Sequence, residues 1–321
     1  MRRLLLACLI ATLGVSGLAH ANANNYPRKP VKIVVSFPPG TGSDSSARFL
    51  AQKLEARFGQ PFVVENRPGA NSFIAAQTVA KADPDGYTLF VASNSPMATN
   101  VVQFKTLPYD PVRDFAPVAR LYYGAMILSV RADSPYKTVA DLVAAAKVKP
   151  GKLSYGSGSA SYQIATELFM KQAGITAVAI PYKGAAPAVA DLAGGQVDFA
   201  MSDYLAASAL SQAGKTRIIA VGGDKRLPLE PNVPTLQELG YKDYYMVNWV
   251  ALFAPAKTPP AIVKKLSDAT VEIISSKEAA EFVGRTSGQI FAGGSEVLRK
   301  YQLDEIQRWT KAAEIAGIPK E

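Results

Sequence analysis

Short apolar, β-branched runs alternate with segments of helical periodicity along almost the whole chain, and this alternation limits the possible folds most strongly. The first run, Val31–Val35, ends in a Pro/Gly-rich turn, after which Ala47, Leu50 and Leu54 recur at helical spacing. Strands separated by helices of this length are typical of βαβ units that build a largely parallel sheet. The sequence therefore predicts an α/β fold.

The same patterns predict the other elements. Further strands are predicted at residues 62–64, 87–92, 118–123, 126–130, 153–155, 178–180, 197–201, 218–221 and 250–253. Helices are predicted at residues 75–82, 142–147, 163–172, 187–192, 204–213 and about 295–313, and another begins after Thr258-Pro259. Thr138 and Asp141 form a capping-box pattern before residues 142–147. A Pro-rich stretch precedes the runs 118–123 and 126–130. The first run is predicted to be a strand that leaves one domain, and the second a strand that enters the next domain.

The N-terminus has the pattern of a secretory signal peptide. Met1-Arg2-Arg3 precede a short apolar run, and Ala21 and Ala23 complete small-residue cleavage patterns. We therefore expect residues 1–23 to be removed from an exported protein. The remaining chain of about 300 residues is long enough for roughly two domains.

The single cysteine, Cys8, and the single histidine, His20, both lie in this predicted signal peptide. The mature protein would have neither residue, which excludes disulfides, zinc sites built on His or Cys, thiol catalysis and Ser-His-Asp triads. Few enzyme mechanisms survive this subtraction, and we predict a protein that is not an enzyme and has no metal and no cofactor. Export without disulfides suits a bacterial periplasm.

The chain is basic, with a formal net charge of +9, of which Arg2 and Arg3 contribute two. Its lysines and arginines are scattered and form no basic run, so we expect no nucleic-acid partner. A mildly positive field that attracts small anions is one interpretation. Solvated lysines without a functional meaning are the other.

Two Gly/Ser-rich loops each follow a predicted strand and open a predicted helix. Glycine lets a backbone approach a ligand closely, and the free N–H groups of a helix start attract anions. Two such loops could hold a carboxylate between them, or each could be a helix-capping turn, a role that suits Asp44. The candidate ligand-binding residues in these loops are Gly40, Thr41, Gly42, Ser43, Asp44, Ser157, Gly158, Ser159, Ala160 and Ser161.

Polar residues also stand at the ends of other predicted strands, where ligands bind in open α/β sheets. Asp203 is either a ligand contact or another helix cap, and Lys183 is either a ligand contact or a solvated surface cation. The tyrosines are more typical of packing than of a ligand site. The further candidates are Ser93, Asn94, Tyr162, Lys183, Gly184, Ala185 and Asp203.

Two segments match enzyme motifs only in part. Gly40-x-Gly42-x-x-Ser45, with Glu65 after the next strand, resembles a dinucleotide fingerprint, but the third glycine is missing and an exported protein would meet little NAD. A nucleotide-binding dehydrogenase is thus a weak alternative. Gly156-Ser157-Gly158-Ser159-Ala160 fails the register of a nucleophile elbow, and spacing gives a Ser–Lys183 pair almost no support.

Several strings in order resemble the Bug (TctC-type) solute-binding proteins of tripartite tricarboxylate transporters, from about Tyr26 to the C-terminus. They include Phe37-Pro38-Pro39-Gly40, Val64-Glu65-Asn66-Arg67-Pro68-Gly69-Ala70, Pro84-Asp85-Gly86-Tyr87-Thr88-Leu89, Leu107-Pro108-Tyr109-Asp110-Pro111, Pro181-Tyr182-Lys183-Gly184 and Leu252-Phe253-Ala254-Pro255. The resemblance implies a two-lobed type II periplasmic binding fold. One lobe would comprise residues 24–124 plus 225–321, and the other residues 125–224.

The resemblance also implies a function. A small carboxylate (dicarboxylate, tricarboxylate or aromatic acid) would bind between the lobes, largely through backbone N–H groups and ordered waters. The protein, a monomer, would deliver it to a membrane permease of one large and one small subunit. Family contacts fall on the loops matched here by Gly40–Asp44, Ser93-Asn94, Ser157–Ser161, Lys183-Gly184-Ala185 and Asp203.

The sequence departs from the family pattern at two places. Thr41 replaces a common glycine, and the second loop is about two residues shorter, with Tyr162 near the usual histidine positions. Because Tyr162 can supply a flat apolar wall, we expect an aromatic or longer carboxylate to be favoured over citrate. A binding protein that reports its ligand state to a membrane sensor kinase is the alternative function.

Overall fold

The structure is a computed structural model that describes residues 25–320. The predicted signal peptide, residues 1–23, lies outside the described residues. Within residues 25–320, none of the helices combines the length and apolar character that a transmembrane span requires.

The first half of the described chain alternates strands and helices as predicted. Its elements are β1 (Val31–Val35), α1 (Gly42–Phe58), β2 (Phe62–Asn66), a 3₁₀ turn (Ala70–Ser72), α2 (Phe73–Ala80), β3 (Thr88–Ser93), a π-helical turn (Ser95–Thr99), α3 (Asn100–Gln103), β4 (Phe115–Arg131) and α4 (Val139–Val148). The predicted capping box is present. The Thr138 side chain accepts the backbone N–H of Asp141, and the Asp141 side chain accepts the backbone N–H of Thr138.

The second half continues the alternation. Its elements are β5 (Ser154–Ser157), α5 (Ala160–Ala173), β6 (Val178–Pro181), α6 (Ala185–Ala193), β7 (Phe199–Asp203), α7 (Tyr204–Gln212), β8 (Thr216–Val221), β9 (Val247–Pro255), α8 (Pro260–Ile274), α9 (Lys277–Gly284), β10 (Gln289–Gly293) and α10 (Ser295–Ala316). Sequence patterns did not predict the π-helical turn, α3, α9 or β10, which are short.

Strand β4 connects the two halves of the sheet. Its first part, up to Ala125, pairs with β9, while its last part, from Met126, pairs with β7 and β8. The two strands predicted at 118–123 and 126–130 are therefore one continuous strand of 17 residues, so the predicted break is wrong. Gly124 is an extended residue within β4, and the backbone hydrogen bonds continue through it.

Each half of the sheet, on either side of β4, contains a group of parallel strands. In the first half β1 lies between β2 and β3, parallel to both. In the second half β5 lies between β6 and β7, parallel to both. The two-lobed α/β fold is thus confirmed. The exact lobe boundaries, 24–124 plus 225–321 and 125–224, stay a prediction, which the change of pairing partner at Ala125–Met126 supports.

The C-terminal helix α10 packs against elements of both halves, including β4 and α5. Its Glu305 is almost fully buried and accepts hydrogen bonds from the indole N–H groups of Trp249 (2.8 Å) and Trp309 (3.1 Å). Arg308 pairs with the same carboxylate. A buried carboxylate is tolerated only with such partners, so this cluster holds α10 against Trp249 of β9.

The turn before α2 has three consecutive non-glycine residues in the left-handed region. The φ angles of Ala70, Asn71 and Ser72 are 45°, 48° and 73°. This conformation costs an L-residue roughly 1–2 kcal/mol, and only glycine adopts it freely. Ser72 is also buried, and its hydroxyl has no hydrogen-bond partner.

Replacing Ser72 by glycine should therefore stabilise the protein. We expect Ser72→Gly to raise the free energy of unfolding by about 1 kcal/mol in a urea titration, because it removes backbone strain and a buried, unpaired hydroxyl. Ala75→Gly, in the neighbouring helix, should lower it by at least about 1 kcal/mol. Equal destabilisation by both substitutions would show that the turn is not strained.

Candidate functional site

The carboxyl ends of five strands meet at one cavity. Strands β1, β3, β5, β6 and β7 each lead into a helical segment, and the residues at these junctions face each other across the two halves. The cavity holds about 360 Å³ of space between atoms, part of it open to solvent.

The structure brings together nine of the residues predicted from the sequence. The predicted residues that line the cavity are Thr41, Gly42, Ser43, Ser93, Ser159, Ser161, Tyr162, Ala185 and Asp203. The other lining residues are Phe37, Ser95, Tyr122, Asn248 and Val250. Ser95 follows the predicted polar strand end Ser93-Asn94, but Asn248 and Val250 lie inside a buried strand, where no local pattern distinguishes a lining residue.

The remaining predicted residues do not line this cavity and stay predictions as ligand contacts. They are Gly40, Asp44, Asn94, Ser157, Gly158, Ala160, Lys183 and Gly184. Lys183 is exposed and Asn94 is fully buried. A Cβ at Gly158 would lie 2.6 Å from the backbone nitrogen of Ala185, so this glycine permits close packing between two loops of the same half.

Asp44 belongs to a structural network at the start of α1. Its carboxylate accepts hydrogen bonds from the backbone of Gly40 (3.0 Å), the side chain of Arg48 (3.0 Å) and the amide of Asn66 (2.9 Å). Thr41, rather than Asp44, is the N-cap residue, and it accepts the N–H of Asp44. Burial alone would raise the pKa of Asp44, but the hydrogen bonds from Arg48, Asn66 and Gly40 outweigh it and hold this pKa below its ordinary value.

Asp44 should therefore stabilise the fold in a pH-dependent way. Because its pKa is lower in the folded state, its stabilising effect is fully present above the unfolded value of 3.8 and is lost as pH falls through the folded pKa. We expect Asp44→Asn to lower the free energy of unfolding at pH 7 by about 1–3 kcal/mol. In urea titrations from pH 7 to pH 2, the difference from the wild type should shrink below pH 3.8.

Asp83→Asn, at an exposed turn, is the matched control and should change stability by less than about 0.5 kcal/mol at either pH. A difference between Asp44→Asn and the wild type that stays constant down to pH 2 would show that the carboxylate charge does not contribute.

Hydroxyl groups from both halves form a chain across the cavity. The Ser161 hydroxyl lies 2.7 Å from that of Ser95 and 3.1 Å from that of Ser159. All three side chains are at most 4% exposed. Three hydroxyls carry three protons and the two bonds between them use two, so in any arrangement one O–H is left to donate to another group.

Two helix starts add further donors to this side of the cavity. Helix α5 begins beside Ser159 and helix α6 begins beside Gly184, and neither cap residue makes a side-chain hydrogen bond to its helix. The first-turn N–H groups of these helices are therefore not capped by their own side chains. Helix N-termini carry a partial positive charge of roughly half a unit, which favours an anion such as a carboxylate.

A second polar group is centred on Asp203, in the second half of the chain. Its carboxylate accepts the Tyr162 hydroxyl (2.9 Å) and, as N-cap of α7, the N–H of Ala206 (3.0 Å), and it also accepts the N–H of Gly42. The Asn248 side-chain amide in turn donates to the Tyr162 oxygen (2.9 Å). Gly42 and Asn248 belong to one half and Tyr162 and Asp203 to the other, so these hydrogen bonds join the halves.

Burial and charge shift the acidities of this group. Burial raises the pKa of Asp203, although the hydrogen bonds from Ala206, Tyr162 and Gly42 act in the opposite direction. Burial and the neighbouring Asp203 carboxylate raise the pKa values of Tyr162 and Tyr122 above the ordinary tyrosine value. Both tyrosines therefore stay protonated at neutral pH, and Tyr162 donates its proton to Asp203.

Gly42 is required by close packing within the cavity. A Cβ built on Gly42 would lie 2.2 Å from the Tyr122 hydroxyl and 3.6 Å from an Asp203 carboxylate oxygen. The backbone at the start of α1 can approach Tyr122 and Asp203 only because Gly42 has no side chain.

Most of the lining residues are of polar type, but they carry little charge. Asp203 is the one carboxylate among the described lining residues, and that set includes no lysine, arginine or histidine. Glu65, the acid of the dinucleotide-like pattern, pairs instead with Lys32 and Arg67. The cavity is thus suited to a small anion held by hydroxyl groups, backbone N–H groups and helix dipoles.

Two α/β lobes with a small cavity between them form the architecture of periplasmic solute-binding proteins. Residues 46–318 match the family described as the tripartite tricarboxylate transporter family receptor, TctC. The chain is 34% identical to protein BugT of Bordetella pertussis over 326 residues, covering 100% of this chain and 98% of BugT. The chain belongs to the TctC family, and the resemblance found in the sequence is confirmed.

Two solved structures are similar over nearly their whole length. Rpa4515 of R. palustris, solved with adipate, has a TM-score of 0.89 at 34% identity, covering 92% of this chain and 100% of that chain. MatC of Rhodopseudomonas palustris, solved with bound malate, has a TM-score of 0.85 at 28% identity, covering 89% of this chain and 99% of that chain. Both contain a small dicarboxylate.

Proposed function

We propose that this protein captures a small dicarboxylate between its two lobes in the periplasm and delivers it to a membrane permease with one large and one small subunit. The observation that carries the proposal is the arrangement of neutral donors from both halves around one cavity. The hydroxyl chain of Ser95, Ser161 and Ser159 and the starts of α5 and α6 supply these donors. Adipate and malate, bound by the two similar proteins, indicate the size class.

Neutral donors fit the task of a receptor that must release its ligand. A carboxylate that accepts several hydrogen bonds from hydroxyl and backbone N–H groups is stabilised without a fixed countercharge. Ligand contacts in both lobes at once would stabilise the closed form, since a ligand shifts a conformational equilibrium only by its differential affinity for the two states. A permease could then distinguish the loaded protein from the empty one.

We also propose that the protein is a receptor without catalytic activity. The serines of the cavity are not accompanied in the described lining by a histidine or lysine that could act as a general base. Membership of a receptor family supports the same conclusion.

A thermal-shift screen of the protein without residues 1–23 tests the ligand class. The panel contains C4–C6 dicarboxylates with their hydroxy and amino derivatives, citrate, aromatic acids and NAD. A ligand at about 100 times its dissociation constant should add roughly 2.7 kcal/mol to the free energy of unfolding. Ser161→Ala removes the central hydroxyl of the chain and should weaken binding of the best dicarboxylate at least about tenfold.

Ser208→Ala is the matched control, because its hydroxyl bonds only to the backbone of Leu205 within helix α7. It should bind like the wild type. Wild-type affinity in Ser161→Ala would remove the hydroxyl chain from the site, and a shift with NAD but with no acid would contradict the proposed function.

Transport can be tested in cells. Deletion of the gene should abolish uptake of the radiolabelled acid found in the screen, and a full-length copy should restore it. A copy without residues 1–23 should be produced but should not restore uptake, because the protein would not reach the periplasm. Restoration by this shortened copy, or undiminished uptake in the deletion strain, would contradict the assignment.

A further inference from the structure

Helix α5 joins the two lobes at a place other than strand β4. It follows β5 in the second lobe, the one built on β5–β8, but it packs along α10 and against α3 of the first lobe, the one built on β1–β3 and β9. Buried apolar residues of both helices, among them Phe169 of α5 and Trp309 of α10, belong to one continuous hydrophobic cluster. A packed interface therefore connects the lobes in addition to the strands.

Specific contacts between α5 and the first lobe run from the second turn of this helix to its last. The carbonyl of Ala165 accepts the hydroxyl of Tyr244, a fully buried side chain, at 2.8 Å. The Phe169 ring packs edge-on against the Tyr241 ring, with 5.2 Å between the centroids. The Gln172 amide donates to a backbone carbonyl of the same segment before β9 (3.3 Å). These contacts and the packing of α5 on α10 are named the α5 seam here.

A second contact between the lobes lies beside the cavity, where the turn after β1 meets the loop after β6. A Cβ built on Gly184 would lie 2.8 Å from Cδ of Pro38, so the two loops can touch only because residue 184 is a glycine. The neighbouring residues Pro39 and Lys183 are exposed, which places this contact at the protein surface. Both loops belong to family motifs found in the sequence.

The two contacts differ in what their separation would cost. Opening the α5 seam would expose the buried rings of Phe169 and Trp309 to water and break the buried hydrogen bond of Tyr244. Pro38 and Gly184 form no hydrogen bond with each other, and their separation exposes little more than one proline ring. The contact beside the cavity is thus the one that a modest change in free energy can open.

We infer that the α5 seam stays packed when the lobes open, and that the cleft opens between Pro38 and Gly184, which form the gate of the site. The strand order agrees with this, because β1 and β6, the strands that lead to the gate, each lie three strands from β4. Rotation about β4 and the seam therefore moves the gate farthest. The inference rests on the proposed function only in that the lobes open to admit a solute, whichever solute it is.

Spin labels on introduced cysteines test this inference, because the chain without residues 1–23 contains no other cysteine. Gln52→Cys and Ala190→Cys place a gate pair on exposed positions of α1 and α6, the helices that begin beside the gate. Lys171→Cys and Lys311→Cys place a seam pair on exposed positions of α5 and α10. Because all these positions are exposed, both labelled proteins should unfold at the urea concentration that unfolds the wild type.

Double electron–electron resonance then measures both distances in protein that has been unfolded and refolded to remove any bound solute. Without ligand, the gate pair should show a broad distribution that extends at least about 5 Å beyond its distance in saturating adipate. The seam pair is the matched control for label mobility and should keep one narrow distance, the same within about 2 Å under both conditions.

The outcomes separate the inference from the proposed function. If the seam pair changes as much as the gate pair, or if the gate pair keeps one narrow distance with and without adipate, the inference is wrong, and the thermal-shift screen still decides whether a carboxylate binds. If the gate pair is broad and the seam pair narrow without ligand, but neither adipate, L-malate nor citrate narrows the gate pair, the inference stands and the proposed ligand class fails.

Discussion

Strand β4 forms backbone hydrogen bonds with strands of both halves, and the position of every other element follows from this. Because its first part pairs with β9 and its last part with β7 and β8, the two groups of parallel strands meet along one continuous strand. Their carboxyl ends then face a shared cleft. Since each of these strands leads directly into a helical segment, the cleft is surrounded by helix starts without requiring any charged side chain.

The polar groups of the cavity form two hydrogen-bonded sets. On one side, Ser95, Ser161 and Ser159 together have one proton more than their mutual bonds use, which makes that side a donor. In the other set, Tyr162 donates to the Asp203 carboxylate and accepts a hydrogen bond from the Asn248 amide, and these bonds join the two halves.

Much of this structure could be predicted from local patterns. The β-branched run Val31–Val35, the capping box at Thr138 and the Gly/Ser loops all depend on neighbouring residues, and each was found in the sequence. The serines at 159 and 161 and the acid at 203 were found because they follow predicted strands. The two-lobed fold was predicted from the resemblance, because several family motifs occur in the same order in this sequence. Periodicity alone would not distinguish this fold from other α/β folds.

The parts that were missed depend on long-range pairing. Nothing local distinguishes Asn248 from other residues of a buried strand; it lines the cavity because β9 pairs with β4. The break predicted near Gly124 is wrong because the ladder to β9 keeps β4 extended there. Asp44 was a reasonable ligand candidate, but Arg48 and Asn66, one turn and one strand away, satisfy its carboxylate outside the cavity.

A crystal structure of the protein with the tightest-binding acid tests the central claim, that neutral donors of both lobes hold the ligand together. We expect the ligand carboxylates within about 3.2 Å of Ser hydroxyl or backbone N–H donors from both halves, at Ser95 or the start of α1 on one side and at Ser159–Ser161 or the start of α6 on the other. A ligand that contacts one half alone, or whose carboxylates are paired with lysine or arginine side chains, would contradict this account.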